Sequence, residues 1–561
     1  MKTSTKKPFD IKMLWASTPE QREKAKALGC NWGVVYTCGH RRNDFPIFYQ
    51  ADAKVSAVRR RDSAAVVREE LAMLREGVDH AHRLGLKALI HSYELSIPEE
   101  FREAYPELYQ PEIHEYRDAC AAVRHKRSPC PSDPRVREII SEKVAETVAA
   151  AEGVDGYAFC LNECLSGTRI NHRCERCRDI PFPQMIKWVA DAVRDGVRRG
   201  NSKTQFFHRM WGLNENDDGG WKNYQRRLVF NEGCGESWLA AHVKAFAPEH
   251  LHYVASRDLP EYLKLQRDEA MGFITKATWG DISIDHPLNP YIGLHARHHP
   301  TVVELSWENT NHHPEAFHVL ARQFQRMARD ARDRGATGLA GMPCAWGYKS
   351  NHQGAGGHDG GSRPRIGTLD ESYHRLTMLN FDVFQAVMND PDADLERVID
   401  GALKRRYGRK LPRRMAELVI ESQDIRAGTN NFRGIQITGE NLERMHYQTL
   451  RYGPTVPGWE KRLSRDPANI RRLIRDKEAT MRRAAEVLGE IEALKKKLPE
   501  AAYREFMACF SDLQRECVLV GRRQILHFLL WALKDGTMKP DMATILLIER
   551  QIRNESPSLL G

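Results

Sequence analysis

The sequence predicts an α/β fold, a (β/α)8 TIM-like barrel carrying a C-terminal all-helical domain. Three observations predict it. Short apolar runs rich in β-branched and aromatic residues alternate with amphipathic helical stretches over the first three hundred or so residues, as in βα units around a parallel sheet. After Met342 the composition turns glycine-rich, from His352 to Gly367. From Glu371 onward the pattern is almost wholly helical, with apolar residues three and four apart.

Taken in order, the expected strands are Lys12 to Ala16, Trp32 to Thr37, Lys87 to Ser92, Gly156 to Asn162, Gln205 to Trp211, Gly272 to Ala277, Thr301 to Trp307 and Thr337 to Met342. Leu251 to Asp258 is a rival for sixth place. Helical periodicity fills the intervals at Ala64 to Leu84, Pro134 to Ala151, Pro183 to Arg198 and Pro314 to Arg334. The expected organisation is a barrel over residues 1–350, a linker over 351–370 and a helical domain over 371–561. The linker could cradle a phosphate through backbone N–H groups, but it matches neither common nucleotide fingerprint and reads instead as a mobile loop over the barrel mouth. Long amphipathic segments at Ile470 to Leu498 and Ala501 to Leu533 suit packing against the barrel or against a second copy, which would make a homodimer.

Composition narrows the partners. The 561 residues carry 85 Lys plus Arg against 75 Asp plus Glu, a net charge of +10. The basic runs at Arg59 to Arg61 and Lys404 to Arg414 fall in helical contexts that read as solvated faces, so no nucleic-acid partner is expected. No apolar run approaches the roughly 20 residues that cross a bilayer, so no membrane partner is expected either. The N-terminus lacks an apolar leader core, which suggests a cytoplasmic protein, although removal of a leader from a secreted or periplasmic one would leave the same picture. Twelve cysteines are too sparse for a disulfide scaffold. Cys30, Cys120, Cys509 and Cys517 sit singly among apolar residues, as free buried thiols do.

Four strand ends carry the chemistry. WGDISIDHPLNPYIGLHARHHPTVVELSWEN, from Trp279 to Asn309, places Asp281 at one end and Glu304 and Glu308 at the other. In a parallel barrel the residues just past each strand converge on one pocket, and two facing carboxylates are the minimum equipment for cleaving a glycosidic bond. If the strand continued, Glu304 and Glu308 would share a face, and two acids so close would push each other's titration apart. In GYAFCLNECLSG the end residues Asn162 and Glu163 can bind sugar hydroxyls. FFHRMWGLNENDD offers His208, Arg209, Trp211 and a loop acid, Glu215, beside further acids at Asp217 and Asp218; an acid desolvated by aromatics suits a general acid near neutral pH. FITKATWGD sets Lys276 shortly before Asp281, as a partner for a carboxylate or for an acidic substrate. Trp211, Trp279, Trp307 and Trp346 are candidate platforms for sugar faces.

These patches, in this order, resemble glycoside hydrolase family 67, the α-glucuronidases. GYAFCLNECLSG is similar to its strand ending in Asn with a Glu soon after, FFHRMWGLNEND to its Trp-Arg strand with an acid-bearing loop, FITKATWGD to its Lys strand ending in a catalytic Asp, and VVELSWEN to its two-Glu strand. NFDVFQAVMNDPDADLERVIDGALKRRYG, from Asn380, resembles the segment opening its helical domain. The resemblance implies Glu215 as general acid and Asp281 with Glu308 as the pair activating water in an inverting mechanism. It makes Glu163, Arg209 and Lys276 substrate contacts, with no cofactor required. The spacing of Glu304 and Glu308 is shorter than the family's. A retaining glycosidase and a non-catalytic carbohydrate-binding barrel are the alternatives, the first separable by carboxyl spacing.

One cluster stands outside this scheme. Cys164, His172, Cys174 and Cys177 have a spacing that can wrap a structural zinc, with free thiols and a disulfide as the other readings; Cys160 is close in sequence but would face away from them if it lies within the strand.

Overall fold

The computed structural model describes residues 9–37, 53–58, 61–94, 99–108, 115–116, 126–127, 130–160, 176, 179–210, 258–267, 270–276, 292–306, 319–342, 375–432, 435–436, 466–534, 536–537, 539 and 541–555. Eight parallel strands close into a barrel: β1 (Ile11–Trp15), β2 (Trp32–Thr37), β3 (Lys87–Tyr93), β4 (Gly156–Cys160), β5 (Gln205–Met210), β6 (Gly272–Lys276), β7 (Thr301–Ser306) and β8 (Gly338–Met342). Neighbours in the ring follow chain order, and β8 pairs with β1, Ile11 in register with Gly338. All eight expected strands are present, each within a residue or two of its expected bounds. The rival at Leu251 to Asp258 is not needed: the ring closes without it, Asp258 opens a helix, and residues 251–257 lie outside the described residues.

Around the strands run α1 (Pro19–Ala27), α2 (Arg61–Arg83), α3 (Pro134–Ala150), α4 (Phe182–Gly200), α5 (Asp258–Leu265) and α6 (Ala321–Asp333). Local chemistry sets their starts. Thr18 and Gln21 form a capping box ahead of α1, and Asp133 caps α3, with Pro19 and Pro134 in first-turn positions whose N–H groups would have no helical partner. α3 and α4 approach closely because Gly196 and Gly200 present no side chain at the crossing.

The barrel interior is filled in layers contributed by alternate strands. Trp32 occupies the lowest level, and a Cβ on Gly156 would stand 2.8 Å from its ring. Above it lie Met13, Leu89, Phe207 and Val302 from β1, β3, β5 and β7, then Val34, Ala158, Ile274 and Ala340 from the other four strands. Trp32 and Phe207 meet edge to face, with ring centroids 5.8 Å apart. The lower half of the barrel is therefore a solid apolar plug, and chemistry has room only at the end where the strands finish.

The second region contains α7 (Leu379–Asn389), α8 (Leu395–Tyr407), α9 (Arg413–Asn430), α10 (Pro467–Ala493), α11 (Glu500–Lys534) and α12 (Met542–Glu555). α7 packs against the barrel beside β8 and β1. Phe384 lies so close to Gly341 of β8 that a Cβ there would be 3.0 Å from its ring, and Asn389 accepts a 2.5 Å hydrogen bond from Lys12 of β1. Residues 379–389 thus pack on the barrel wall, and one continuous apolar core joins the barrel to α8–α11. The glycine-rich stretch 352–367 lies outside the described residues. Among the described residues no helix is long and apolar enough to cross a membrane.

Candidate active site

Above the apolar plug, the next interior layer is polar. Its four members come from the odd strands: Trp15 of β1, His91 of β3, Arg209 of β5 and Glu304 of β7. Arg209 Nε and Nη2 donate to Glu304 Oε2 and Oε1 at 2.9 and 2.8 Å, a bidentate fork between two fully desolvated side chains. The guanidinium carbon lies 4.9 Å from the Trp15 ring centroid, and Trp15 meets His91 edge-on at 5.1 Å. Cys160, at the end of β4, has its Sγ 3.2 Å from His91 Nε2 and donates to the Arg209 carbonyl at 3.3 Å. Met342 Sδ, at the end of β8, lies 3.8 Å from Arg209 Nη2.

Isolated charges buried this deeply would cost far more than the fold could offset, whereas a matched fork compensates both. What results is a rigid, internally neutral floor at the C-terminal face, where barrels of this kind carry their pockets.

Just behind this floor, Lys143 of α3 reaches Glu94 Oε2 at 2.6 Å and donates to the Glu94 carbonyl at 3.1 Å, while the Tyr157 hydroxyl donates to Glu94 Oε1 at 2.7 Å. Glu94 follows β3 directly, and its own N–H bonds to the Cys160 carbonyl at 2.9 Å. All four residues of this arrangement, Glu94, Lys143, Tyr157 and Cys160, are sealed from water, so it pins the ends of β3 and β4 together beside His91.

The expected site residues divide accordingly. Arg209 and Glu304 are brought together as one charge-paired unit. Lys276 ends β6 with its Cα in register with that of Glu304. His208 requires correction. One position from Arg209, it lies on the opposite face of β5, between sheet and helices, stacked on Phe159 at 4.2 Å with Nδ1 2.9 Å from the Tyr262 hydroxyl of α5. That hydroxyl is held well above the ordinary tyrosine pKa by burial. His208 is therefore a packing residue, because strand alternation sends neighbours to opposite faces. Asn162, Glu163, Trp211, Glu215, Asp217, Asp218, Trp279, Asp281, Trp307, Glu308 and Trp346 lie outside the described residues, as do Cys164, His172, Cys174 and Cys177. Cys160 is a buried thiol turned into the barrel, and neither it nor the buried Cys30, Cys130, Cys509 and Cys517 elsewhere forms a disulfide.

Sequence reasoning missed Trp15, His91 and Glu94. A signal existed for the first two: counting by twos from Met13 and Leu89 reaches Trp15 and His91 on the faces that fill the barrel. For Glu94 there was none, since its partners lie 49 and 63 residues away.

No protein-family model matches the chain, and no curated protein matches it. Solved structures share its fold. A GH138 enzyme targeting pectin rhamnogalacturonan II superposes with a TM-score of 0.55 at 11% identity, over 99% of this chain and 62% of that one. A family 89 glycoside hydrolase from Clostridium perfringens, in complex with PUGNAc, gives 0.47 at 10% identity over 98% of this chain and 54% of its own. This chain thus spans less than two thirds of the length of either. At such identities the likeness is one of fold, and membership of family 67 is not shown.

Proposed function

We infer that this chain is a glycoside hydrolase. The observation that carries the inference is the polar layer of Trp15, His91, Arg209 and Glu304 closing an otherwise apolar barrel at its C-terminal face. In the sequence, β5, β6 and β7 are followed by segments bearing Glu215, Asp281 and Glu308. The likeness of fold to a GH138 enzyme agrees with this reading. In the proposed mechanism Glu215 protonates the departing oxygen, and Asp281 or Glu308 deprotonates the attacking water, with inversion. The resemblance to family 67 and the site of Lys276 on β6 extend the proposal to an acidic sugar at a terminal linkage. Asn162, Glu163, Trp211, Trp279, Trp307 and Trp346 are proposed to line the sugar site. No cofactor takes part. The soft thiolates and imidazole of Cys164, His172, Cys174 and Cys177 suit a structural zinc in the segment after β4, and metal content measured after chelator-free purification tests that separately: less than about a tenth of an equivalent rejects it.

The test of function is hydrolysis of a panel of aryl glycosides and aryl uronides by the full chain, beside Glu215→Gln, Asp281→Asn and Glu308→Gln. The expected result is activity on at least one aryl uronide, with losses of about a hundredfold or more in each variant. Turnover that survives all three changes would refute the assigned roles, and sugar binding without any turnover would point to a carbohydrate-binding barrel instead.

A further inference from the structure

Two of the side chains gathered at the barrel floor keep part of their surface open. His91, Cys160, Arg209 and Glu304 are buried, whereas Trp15 and Met342 are only partly buried. These two are neighbours. Leu14 pairs with Gly341 where β1 meets β8, so Trp15 and Met342 stand side by side one residue further on. Gly341 is turned outward onto Phe384, which sends Met342 inward by strand alternation. Both rest on one guanidinium: its carbon lies 4.9 Å from the Trp15 ring centroid, and Arg209 Nη2 lies 3.8 Å from Met342 Sδ.

Beneath this pair lie the Arg209–Glu304 fork and the apolar plug, so the surface left open faces the barrel mouth. That surface is apolar. Trp15 Nε1 is itself buried, which leaves ring carbon, and Met342 adds a thioether. The charges below are matched within the fork. A hydroxyl or carboxylate set down here would give up water without a hydrogen bond in return, whereas C–H surface gains by burial. A pyranose ring has both kinds of surface, C–H groups on its face and hydroxyls around its rim.

We propose that Trp15 and Met342 form a seat, at the seam of β1 and β8, for the C–H face of the sugar ring. The proposal rests on the glycosidase reading above and deepens it, because the seat fixes which side of the ring meets the floor. The polar rim of the sugar, and the carboxylate of an acidic one, then points away from the seam. Arg209 and Glu304 support the seat from below.

The experiment uses the full chain carrying fluorotryptophan and methyl-labelled methionine. The fluorine resonance of Trp15 is assigned by its absence from Trp15→Phe, and the methyl resonance of Met342 by its absence from Met342→Leu. Glucuronate, galacturonate, glucose and galactose are titrated in, with the monosaccharide released from whichever aryl glycoside the wild type cleaves. Both resonances should move saturably with a common midpoint for at least one sugar. Met342→Ala should raise KM about 3- to 10-fold with kcat nearly unchanged, while Met342→Leu, which keeps the apolar bulk, stays within about twofold of the wild type. Turnover accompanied by shifts in neither resonance or in only one, or by an unchanged KM in Met342→Ala, would overturn the seat and leave the glycosidase reading intact. Saturable shifts in both without turnover of any glycoside would keep the seat and sink the catalytic reading. Neither shifts nor turnover would sink both.

Discussion

Replacing Glu304 with Gln tests whether the barrel floor is held by charge. The change keeps the size of the side chain but removes the negative charge from a fork whose members are both sealed from water. Of the two hydrogen bonds at 2.9 and 2.8 Å, the amide oxygen can keep one, while the amide NH2 now faces a guanidinium donor. A buried hydrogen bond to a charged group is worth about 1.5–3 kcal/mol, and breaking a buried pair from one side costs about 3–5 kcal/mol because the surviving charge is left uncompensated. Keeping one bond puts Glu304→Gln near the lower end, about 3 kcal/mol. Arg209→Met, which strands the carboxylate and removes the contact to Trp15, belongs near the upper end. The double variant should cost less than the sum of the two by a coupling of about 2 kcal/mol or more, since it strands no charge. A chain of this size need not unfold in two states, so the quantity to measure is native-state hydrogen exchange of β5 and β7 amides in each variant. Single variants that cost under about 1 kcal/mol, or a double that is additive, would refute the claim that the fork is the keystone of the layer.

Other outcomes follow from the packing and from one buried amine. Gly196→Ala would set a methyl 2.5 Å from the Ser141 carbonyl and 2.7 Å from Val144 Cβ, and should lose about 1–3 kcal/mol in chemical denaturation despite the better helix propensity of alanine. Gly489→Ala in α10, where a Cβ meets nothing within 4 Å, should instead gain up to about 1 kcal/mol by the same assay; equal signs for the two would contradict the crossing geometry. Lys477 of α10 donates to the Gly428 and Thr429 carbonyls at the end of α9 at 2.8 and 2.7 Å, and complete burial lowers its pKa from 10.5 to about 7. The unfolded chain then binds the extra proton between those values, so stability rises with pH above about 7, by up to about 3 kcal/mol by pH 9. Above the ordinary thiol range Cys517, pushed up to about 12 by burial, pulls the other way. A Lys477→Met variant should lack the rise, and a rise of equal size in that variant would show that another group causes it. Tyr157→Phe, which removes one of the bonds to Glu94, should cost about 1–3 kcal/mol and leave the barrel closed, as read by exchange at β3 and β4.

The barrel was legible because its strands are short apolar runs separated by strongly periodic helices, and closure demands nothing more specific than that alternation. The floor of the site was not legible in the same way, and β5 shows why. In Phe206-Phe207-His208-Arg209 both faces are buried, one against helices and one inside the barrel, so no polar and apolar alternation marks which is which. His208 and Arg209 are equally polar neighbours with opposite fates. Only a residue of known facing elsewhere in the ring fixes the parity, and in this chain that is Trp32, whose bulk at the lowest level requires Gly156 across from it. Once that parity is set, Phe207 and Arg209 must point inward with Met13 and Trp15, and the layer follows without further assumption. The packing of α7 was hidden for a related reason: the periodicity of Leu379–Asn389 specifies an apolar face but not what it covers, and nothing local says that Phe384 meets Gly341 or that Asn380 caps the start of α6. Sequence pattern specifies elements and faces; which buried polar groups find one another is decided by contacts 49 to 103 residues apart.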